Sequence, residues 1–265
     1  MKTLMPLALA ISIIALLSMA CLGAGRERAG PGACGEEAAA TRFPPKKVWI
    51  AIDGTGSYGE QTAQAVAFAA DLVESIAAPG DFIALSWITG NSFPPETTIA
   101  SLEVPSLAVP TPPDDPNPIK QRRLMKKYCV ELNDHSERLE GIERQVGDFA
   151  TQMRTLPPPA PIDGTDVWGA LAKGEDALAA GRPGRSVIVL LSDGQHNVAV
   201  HTPRDLSGVE VFFAQLRAED SVVAREVEDY WSSGLQTLGA ATVRFFPSDA
   251  PEESVIEQIK TGGAP

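Results

Sequence analysis

The amino-acid sequence predicts an α/β protein built on a doubly wound, mostly parallel sheet with one antiparallel edge strand and a helical insert. Short, continuous apolar runs bounded by turn residues recur along the chain, and such runs are typical of strands buried on both faces. Segments with apolar residues at helical spacing separate the runs, and this alternation favours parallel pairing. The chain has 265 residues, of which 44% are hydrophobic, which is enough for one globular domain with a sizeable core.

Residues 1–20 have the layout of a signal peptide. A charged start precedes the apolar run 4–17, and the small residues Ser18 and Ala20 stand before Cys21. The favoured interpretation is cleavage before Cys21 and attachment to the membrane through a lipid on that cysteine, although Ser18 stands where lipoproteins usually carry Leu. Cleavage after Ala20 and an uncleaved anchor helix are the alternatives. Each predicts an extracytoplasmic domain, either a cell-envelope lipoprotein or a secreted protein.

Residues 21–45 predict a flexible tether, because they are rich in Gly, Ala, Arg and Glu and end in two prolines. The predicted domain then covers residues 46–265, with a helical insert at about 109–160. The two remaining cysteines, Cys34 and Cys129, either form a disulfide in an oxidising compartment or stay free thiols. The sequence does not supply the Cα distance that would decide between these states.

The first part of the domain predicts three strands and a helix. The apolar run Val48–Ile52 ends at Asp53 and fits a buried strand. Apolar residues recur at helical spacing through Gly59–Ala77, and a Pro-Gly pair then stops the helix. Phe82–Ile88 predicts a second strand, and the alternation in Thr97–Val104 predicts a third, antiparallel strand at the sheet edge.

The insert combines a loop with a charged helix. Val109–Pro118 is dense in proline and excludes regular structure. Ile119–Leu156 predicts a helix, since apolar residues recur at steps of three and four, and Asn133–Asp134 could break it into two. We expect the apolar stripe to pack on the sheet, and a helical hairpin that docks a partner is the alternative. The stripe consists of Leu139, Ile142, Val146, Phe149 and Met153.

The second part of the domain continues the alternation of helices and strands. Asp163–Asp166 opens a helix that runs through Leu178 and ends before Pro183. No internal repeat interrupts the order, so one sheet is expected. The remaining elements are, in turn, strand, strand, helix, strand and helix: Ser186–Leu191, Val209–Leu216, Asp220–Leu238, Ala241–Phe246 and Pro251–Lys260.

Three loops place small oxygen-bearing side chains where the predicted sheet would bind a ligand. In a doubly wound sheet, that place is the carboxyl end of the strands, near the reversal of strand order. The segment Asp53-Gly54-Thr55-Gly56-Ser57 follows the first strand, Asp193 follows the fourth strand, and Thr165 lies in a loop that opens a helix. Hard cations such as Mg²⁺ and Mn²⁺ favour oxygen ligands. The predicted metal ligands are therefore Asp53, Thr55, Ser57, Thr165 and Asp193.

Each of these loops alone has a plainer interpretation. The loop at Asp53 fits an Asx turn, the loop at Asp193 fits a common turn at a strand end, and Thr165 fits a helix N-cap. Their combination, in order and after the right elements, favours the metal site. Asp163 and Asp166 are predicted to orient waters or hydroxyls around the ion. The predicted rim residues are Gln195, Tyr58, Trp168, His196 and Asn197.

The same residues resemble the metal-ion-dependent adhesion site of the von Willebrand factor A family. That family's first motif is Asp-x-Ser-x-Ser, and Asp53-x-Thr55-x-Ser57 keeps the hydroxyl at its second position. Thr165-Asp166 and then Leu190-Leu191-Ser192-Asp193-Gly194 follow in the family's order. The resemblance covers roughly Lys46–Ile259. It implies a Rossmann-like fold, a Mg²⁺ or Mn²⁺ whose last ligand is a Glu or Asp of a protein partner, and binding rather than catalysis. A relative without the metal is the alternative.

The spacing of the motifs departs from the family pattern. More than a hundred residues separate Asp53 from Thr165, which is longer than a minimal domain of this family needs. The additional residues form the insert, which leads directly into the Thr165 loop. The insert therefore either overhangs the metal face and shapes the choice of partner, or serves as packing alone.

Composition and motifs argue against other classes of protein. The formal net charge of −12 argues against a nucleic-acid binder, because a phosphate backbone needs a basic face and the basic residues are scattered among more numerous acids.

A Mg²⁺-dependent phosphohydrolase with Asp53 as nucleophile is the alternative function. Such enzymes of the haloacid dehalogenase type carry a second Asp where Thr55 stands. A serine hydrolase would need Gly-x-Ser-x-Gly, which the sequence lacks. The sequence thus predicts an exported, membrane-tethered binding module rather than an enzyme.

Overall fold

The computed structural model describes residues 44–59, 61–157, 159–160, 163–179, 184–198, 201–217 and 221–262. The predicted signal peptide and the predicted tether up to residue 43 lie outside these ranges, and so does Cys34. Cys129 is disulfide-bonded, so the free-thiol alternative is wrong for this residue. Its pairing with Cys34 was left open by the sequence and stays a hypothesis. Within the described ranges, no helix has both the length and the apolar character that crossing a membrane requires.

The described residues form one sheet of six strands: β1 (Lys46–Asp53), β2 (Phe82–Ile88), β3 (Thr98–Glu103), β4 (Arg185–Leu191), β5 (Val209–Leu216) and β6 (Thr242–Pro247). Their order is β3-β2-β1-β4-β5-β6. Every neighbouring pair is parallel except β2 and β3, which run antiparallel at one edge. The order reverses between β1 and β4, which is where doubly wound sheets bind ligands. The predicted sheet is confirmed.

Helices cover both faces of the sheet. In the described part of the chain they are α1 (Thr62–Ile76), α2 (Pro118–Arg154), α3 (Val167–Ala179), α4 (Ser221–Thr237) and α5 (Glu252–Thr261). Apolar residues of α1, α2 and α5 share one core with one face of the sheet, and those of α3 and α4 share a second core with the other face. This three-layer arrangement follows from the alternation of strands and helices along the chain.

Alternate residues of the central strand β1 enter the two cores. Val48, Ile50 and Ile52 pack on the α1 side, whereas Trp49 and Ala51 pack on the α3 side, and all five are buried. Strand side chains alternate between faces, and burial of both faces explains why this strand is a continuous apolar run. The two cores hold the carboxyl end of β1, where the candidate site begins, on a rigid support.

Helix α2 is continuous from Pro118 to Arg154, so the predicted break at Asn133–Asp134 is wrong. Both residues are exposed, and Asn or Asp in a helix interior costs less than about 1 kcal/mol each. The second half of α2 was expected to pack on the sheet, and it packs mainly against α1, while its apolar stripe joins the core between α1 and that face of the sheet. It does not form a helical hairpin. The buried residues of that half are Ile142, Val146, Ala150 and Met153.

Candidate metal centre

The loop after β1 turns back on the carboxylate of Asp53. The amide and the hydroxyl of Thr55 both donate to Asp53 Oδ1, at 3.0 and 2.7 Å. Thr55 Oγ1 lies 3.2 Å from Ser57 Oγ, and Thr62 Oγ1 donates to the Asp53 carbonyl at 3.0 Å. Thr55 is buried, whereas Ser57 is exposed. The hydroxyls of the first motif therefore lie side by side, with one of them open to solvent.

The same loop contacts the segment that follows α2. A Cβ atom at Gly54 would lie 2.4 Å from Pro159 Cγ, so the close approach requires glycine. The Gly54 amide donates to the Ile88 carbonyl at 3.0 Å, which ties the loop to the end of β2. Pro159 belongs to the predicted insert, so the insert reaches the candidate metal loop through this contact.

Thr165 reaches the same cluster from the loop before α3. Its hydroxyl donates to Thr55 Oγ1 at 3.2 Å. Its amide donates to Asn197 Oδ1 at 2.8 Å, and the Asn197 amide donates to the Thr165 carbonyl at 3.3 Å. Asp166 caps α3, since its Oδ1 accepts from the Gly169 amide at 2.9 Å. The N-cap interpretation of Thr165 is therefore wrong, and its hydroxyl remains part of the cluster.

Asp193 opens the loop after β4, and Ser192 links that strand end to β1. Ser192 Oγ donates to Asp53 Oδ2 at 2.6 Å and accepts from the Gly194 amide at 3.1 Å. Asp193 Oδ1 accepts from the Gln195 amide at 2.9 Å. Because β1 and β4 are adjacent and parallel, the two carboxylates emerge at the same edge of the sheet. Ser192 belongs to the predicted motif, but no role was predicted for it. The structure shows that its hydroxyl connects the two strand ends.

Burial raises the pKa of both carboxyl groups. For Asp53, burial outweighs the lowering effect of the hydrogen bonds from Ser192 and Thr55. For Asp193, burial is the main cause and the charge of Asp53 adds to it, which raises the pKa to about 6 against the lowering effect of the Gln195 amide. No Lys or Arg of the described residues forms an ion pair with either carboxylate. Two buried carboxylates in this situation favour a bound cation.

The structure brings the five predicted ligands to one place. Hydrogen bonds join Asp53, Thr55, Ser57 and Thr165, and Asp193 lies close enough to Asp53 to interact with its charge. Among the described residues, no group of three or more His, Cys, Asp or Glu side chains could hold a metal ion. An ion at this site would therefore depend on the hydroxyls. Two carboxylates and three hydroxyls are an all-oxygen donor set that fits Mg²⁺ or Mn²⁺.

The other residues predicted around the ion have different environments. Asp166 is fully buried, and its second oxygen accepts from the Ser92 amide at 3.2 Å, so both of its oxygens hold backbone amides. Asp163 and Gln195 are exposed and lie near Thr165 and Asp193 along the chain. Asp166 thus joins the loop at Ser92 to the start of α3, while the side chains of Asp163 and Gln195 are exposed to solvent.

Gln215 is a neighbour of the site that the sequence analysis missed. It lies near the end of β5 with φ +61°, the left-handed region that residues other than glycine rarely adopt, where the pairing with β6 shifts register. Its Oε1 accepts from the Tyr58 hydroxyl at 3.3 Å. Tyr58, predicted at the rim, is buried, and burial together with the charges of Asp53 and Asp193 raises the pKa of its hydroxyl. The Tyr58 hydroxyl therefore stays protonated and uncharged next to the two carboxylates.

Aromatic rings support the loop that carries Asp193. Trp231 Nε1 donates to the Gly194 carbonyl at 2.8 Å, and the ring of Trp168 lies 4.7 Å from that of Trp231. His196 lies edge-on to both rings, at 6.4 and 6.0 Å, and burial lowers its pKa. Trp168 Nε1 donates to the exposed Tyr230 hydroxyl at 3.0 Å. His196, predicted at the rim, is thus a half-buried ring that packs in this aromatic cluster.

A scan against protein-family models found no match, and neither did a search of the curated proteins. Among solved structures, the chain is similar to an aerotolerance-related membrane protein from Bacteroides fragilis, at 12% identity and a TM-score of 0.44, over 80% of this chain and 96% of that one. It is also similar to the pilus adhesin SpaC from Lactobacillus rhamnosus GG, at 14% identity and a TM-score of 0.44, over 83% of this chain and 30% of the adhesin.

A third similar structure is proximal thread matrix protein 1 from the mussel byssus, with a zinc-occupied MIDAS motif. Its identity to this chain is 12% and its TM-score is 0.42, over 81% of this chain and 44% of the mussel protein. The chain therefore spans less than half of the length of the adhesin and of the mussel protein. Similarity at this level assigns no ligand, partner or activity to this chain.

Proposed function

We propose that this protein is a binding module that holds Mg²⁺ or Mn²⁺ with Asp53, Thr55, Ser57, Thr165 and Asp193. A Glu or Asp side chain of a protein partner completes the coordination of the ion. One observation carries the proposal: two buried carboxylates and three hydroxyls converge from three loops, and no Lys or Arg of the described residues pairs with the carboxylates. A divalent cation would offset the cost of burying two negative charges at this edge of the sheet.

The types of ligand explain why such an ion would bind a carboxylate of a partner. Hydroxyls are neutral, so only Asp53 and Asp193 counter the double charge of the ion. Asp53 accepts three hydrogen bonds, which suits contact with the ion through water and leaves the ion electrophilic. Ser57 and Gln195 are exposed, so a partner side chain can approach the cluster from solvent.

We propose an extracytoplasmic location, either as a lipoprotein attached through Cys21 or as a secreted protein. The layout of residues 1–20 supports export. The disulfide at Cys129 fits an oxidising compartment. Incorporation of a labelled fatty acid into the wild type, but not into Cys21→Ser, distinguishes the lipoprotein from the secreted form.

The geometry does not favour the alternative phosphohydrolase. Both oxygens of Asp53 accept hydrogen bonds, from Thr55 and Ser192, and the side chain is fully buried. A nucleophilic carboxylate needs an oxygen that is free to attack the substrate. Thr55 also occupies the position of the general acid, and a threonine hydroxyl is a poor proton donor at neutral pH.

Chelation tests the proposed function. The full-length protein is immobilised and exposed to an extract of cell envelopes in Mg²⁺, washed, and then treated with EDTA. We expect a protein that is retained in Mg²⁺ to elute with EDTA and not to be retained by Asp193→Ala. The control is Asp148→Ala, which removes an exposed carboxylate of α2 outside the predicted site and should retain the partner. Retention that is insensitive to both EDTA and Asp193→Ala contradicts the proposal.

A further inference from the structure

The first half of α2 concentrates positive charge in an acidic protein. Over residues 118–130 the helix carries five basic residues and no acidic residue, whereas the whole chain has a formal net charge of −12. We call this surface the basic face. It consists of Lys120, Arg122, Arg123, Lys126 and Lys127, with Ile119 and Val130 at its two ends.

The residues of the basic face lie on the solvent side of the helix. All five basic residues are exposed, and Ile119 and Val130 are 84% and 58% exposed. Their spacing of three and four residues places them on one side, one turn after another. The opposite side of the same turns is only half exposed, at Leu124, Met125, Tyr128 and Cys129. This stretch of α2 is therefore amphipathic, with a basic outer side that also presents two apolar residues.

Few of these charges are neutralised by the protein. Lys120 pairs with Asp115, and Lys127 pairs with Glu131. The two lysine side chains are 65% and 75% exposed, and ion pairs of such side chains are weak and screened by salt. Arg122, Arg123 and Lys126 form no ion pair with any described residue. The positive potential of the basic face therefore remains available to an anionic surface.

The second half of the same helix provides an internal comparison. Its exposed basic residues are Arg138, Arg144 and Arg154, and they stand among more numerous exposed acidic residues: Glu131, Asp134, Glu137, Glu140, Glu143 and Asp148. Mixed charge of this kind is typical of an ordinary solvated helix face. The segregation of charge is thus a property of the first half alone, where the helix also makes fewer buried contacts.

We propose that the basic face binds the headgroups of anionic phospholipids at a membrane surface, with Ile119 and Val130 at the boundary of the acyl chains. A basic outer side with flanking apolar residues is what an interfacial helix presents to such a surface. The predicted tether supports this occupant: its 25 residues, 21–45, reach about 25–30 Å from a lipid on Cys21. Cys129 is disulfide-bonded, and a bond to Cys34, which the sequence leaves open, would attach the tether beside this part of α2.

Membrane binding at the basic face would orient the candidate metal centre. The 37 residues of α2 extend over about 55 Å. The basic face lies at the N-terminal end of the helix. The C-terminal end leads to Pro159, which packs closely against Gly54 in the candidate metal loop. A domain bound through the first half of α2 would therefore hold the metal loops away from the lipid surface. The metal face would then be accessible to a partner.

Cosedimentation of the full-length protein with vesicles tests this proposal. Vesicles of phosphatidylcholine are compared with vesicles of phosphatidylcholine and phosphatidylglycerol, so that any contribution of the apolar N-terminus is common to both. We expect the wild type to prefer the anionic vesicles, and this preference to decline as salt rises from about 0.1 to 1 M. Each basic residue near an anionic surface contributes roughly a fivefold effect, so Arg123→Glu with Lys126→Glu should reduce the preference by about 25-fold or more.

The second half of α2 supplies a matched control. Arg138→Glu with Arg144→Glu makes the same change in net charge on the same helix and should leave the preference unchanged. EDTA should also leave it unchanged, because the basic face acts without the metal. Equal binding to both vesicles, or an equal loss in the two double variants, would overturn the proposal. Absence of vesicle preference with retention on an oligonucleotide or an acidic protein would assign the basic face to that ligand instead.

Discussion

The candidate metal centre and the basic face of α2 carry opposite charges in opposite environments. Asp53 and Asp193 are buried, hydrogen-bonded and have raised pKa values. Arg123 and Lys126 stand in solvent and form no ion pair with any described residue. Burying a charge costs several kcal/mol unless a counter-charge is present, whereas an exposed charge costs little. The first region is therefore suited to one ion, and the second to an extended anionic surface.

This difference predicts that substitutions in the two regions will have different effects on folding stability and on binding. At the metal centre, a change of one side chain alters folding stability as well as ion binding, because the side chains also hold the loops together. On the basic face, a change alters association with a surface and leaves folding nearly as it was. The size of the effect on the free energy of unfolding is therefore itself a test of the assignment.

The largest effect is expected at Asp166, which borders the metal centre but holds backbone amides. Asp166→Ala leaves the buried amides of Gly169 and Ser92 without their acceptor. We expect the free energy of unfolding to fall by about 2–4 kcal/mol, measured by urea denaturation. Asp163→Ala, which changes an exposed side chain, should stay within about 0.5 kcal/mol of the wild type. A fall below about 1 kcal/mol in Asp166→Ala would contradict the structural role.

Asp193→Asn is expected to have the opposite sign in the metal-free protein. At pH 7 the Asp193 carboxylate is ionised although burial disfavours its charge, so the neutral amide should stabilise the metal-free fold by about 1–2 kcal/mol. The same variant should lose the stabilisation that Mg²⁺ gives to the wild type. Thermal unfolding with EDTA and with Mg²⁺ measures both effects. Destabilisation without metal would show that Asp193 holds the loop rather than an ion.

The pH dependence follows from the raised pKa of Asp193. The folded protein binds a proton at about pH 6, compared with 3.8 for an unperturbed aspartate, so this group makes the metal-free fold less stable as pH rises from about 4 to about 6. A divalent cation competes with that proton. Below pH 6, Mg²⁺ affinity should therefore fall by roughly tenfold per pH unit, as measured by titration calorimetry. An affinity that is constant from pH 7 to pH 5 would argue against Asp193 as a ligand.

The smallest effect is expected on the basic face. Arg123→Glu with Lys126→Glu should change the free energy of unfolding by less than about 0.5 kcal/mol. The dissociation constant for Mg²⁺ should also be unchanged, because screening reduces the interaction of exposed charges beyond about 10 Å at 0.1 M salt. A clear loss of stability in urea would mean that this face packs against another part of the protein.

Most of the fold was predictable from the sequence because apolar runs and turn residues mark the strands. The predicted strands Phe82–Ile88 and Val209–Leu216 have the bounds of β2 and β5. The predicted break in α2 was wrong because Asn133 and Asp134 are tolerated on an exposed side of a helix that is held at its second half. Local propensity is a weak guide where tertiary packing supports the helix.

The candidate site was predictable where its residues follow strand ends, as Asp53 and Asp193 do. The roles of Thr165 and Asp166 were not predictable from the sequence. A shift of one residue in the start of α3 decides which of the two caps the helix. Gln215 was missed because its backbone conformation arises from the register of β5 against β6, which no local pattern shows. The expectation that the basic residues are scattered among acids was wrong for residues 118–130, where five basic residues and no acidic residue share one side of α2. Net charge averages over the whole chain, whereas a helix gathers neighbours three and four residues apart.

The most direct test of the metal centre is calorimetric titration of Mg²⁺ and Mn²⁺ into the full-length protein at neutral pH. We expect one ion per chain in the wild type, no measurable binding in Asp193→Asn, and at least about tenfold weaker binding in Thr165→Val, which removes a hydroxyl but keeps the shape of the side chain. Thr151→Val, at an exposed position of α2, should bind as the wild type does. No binding in the wild type, or equal binding in the wild type and Asp193→Asn, would contradict the metal centre.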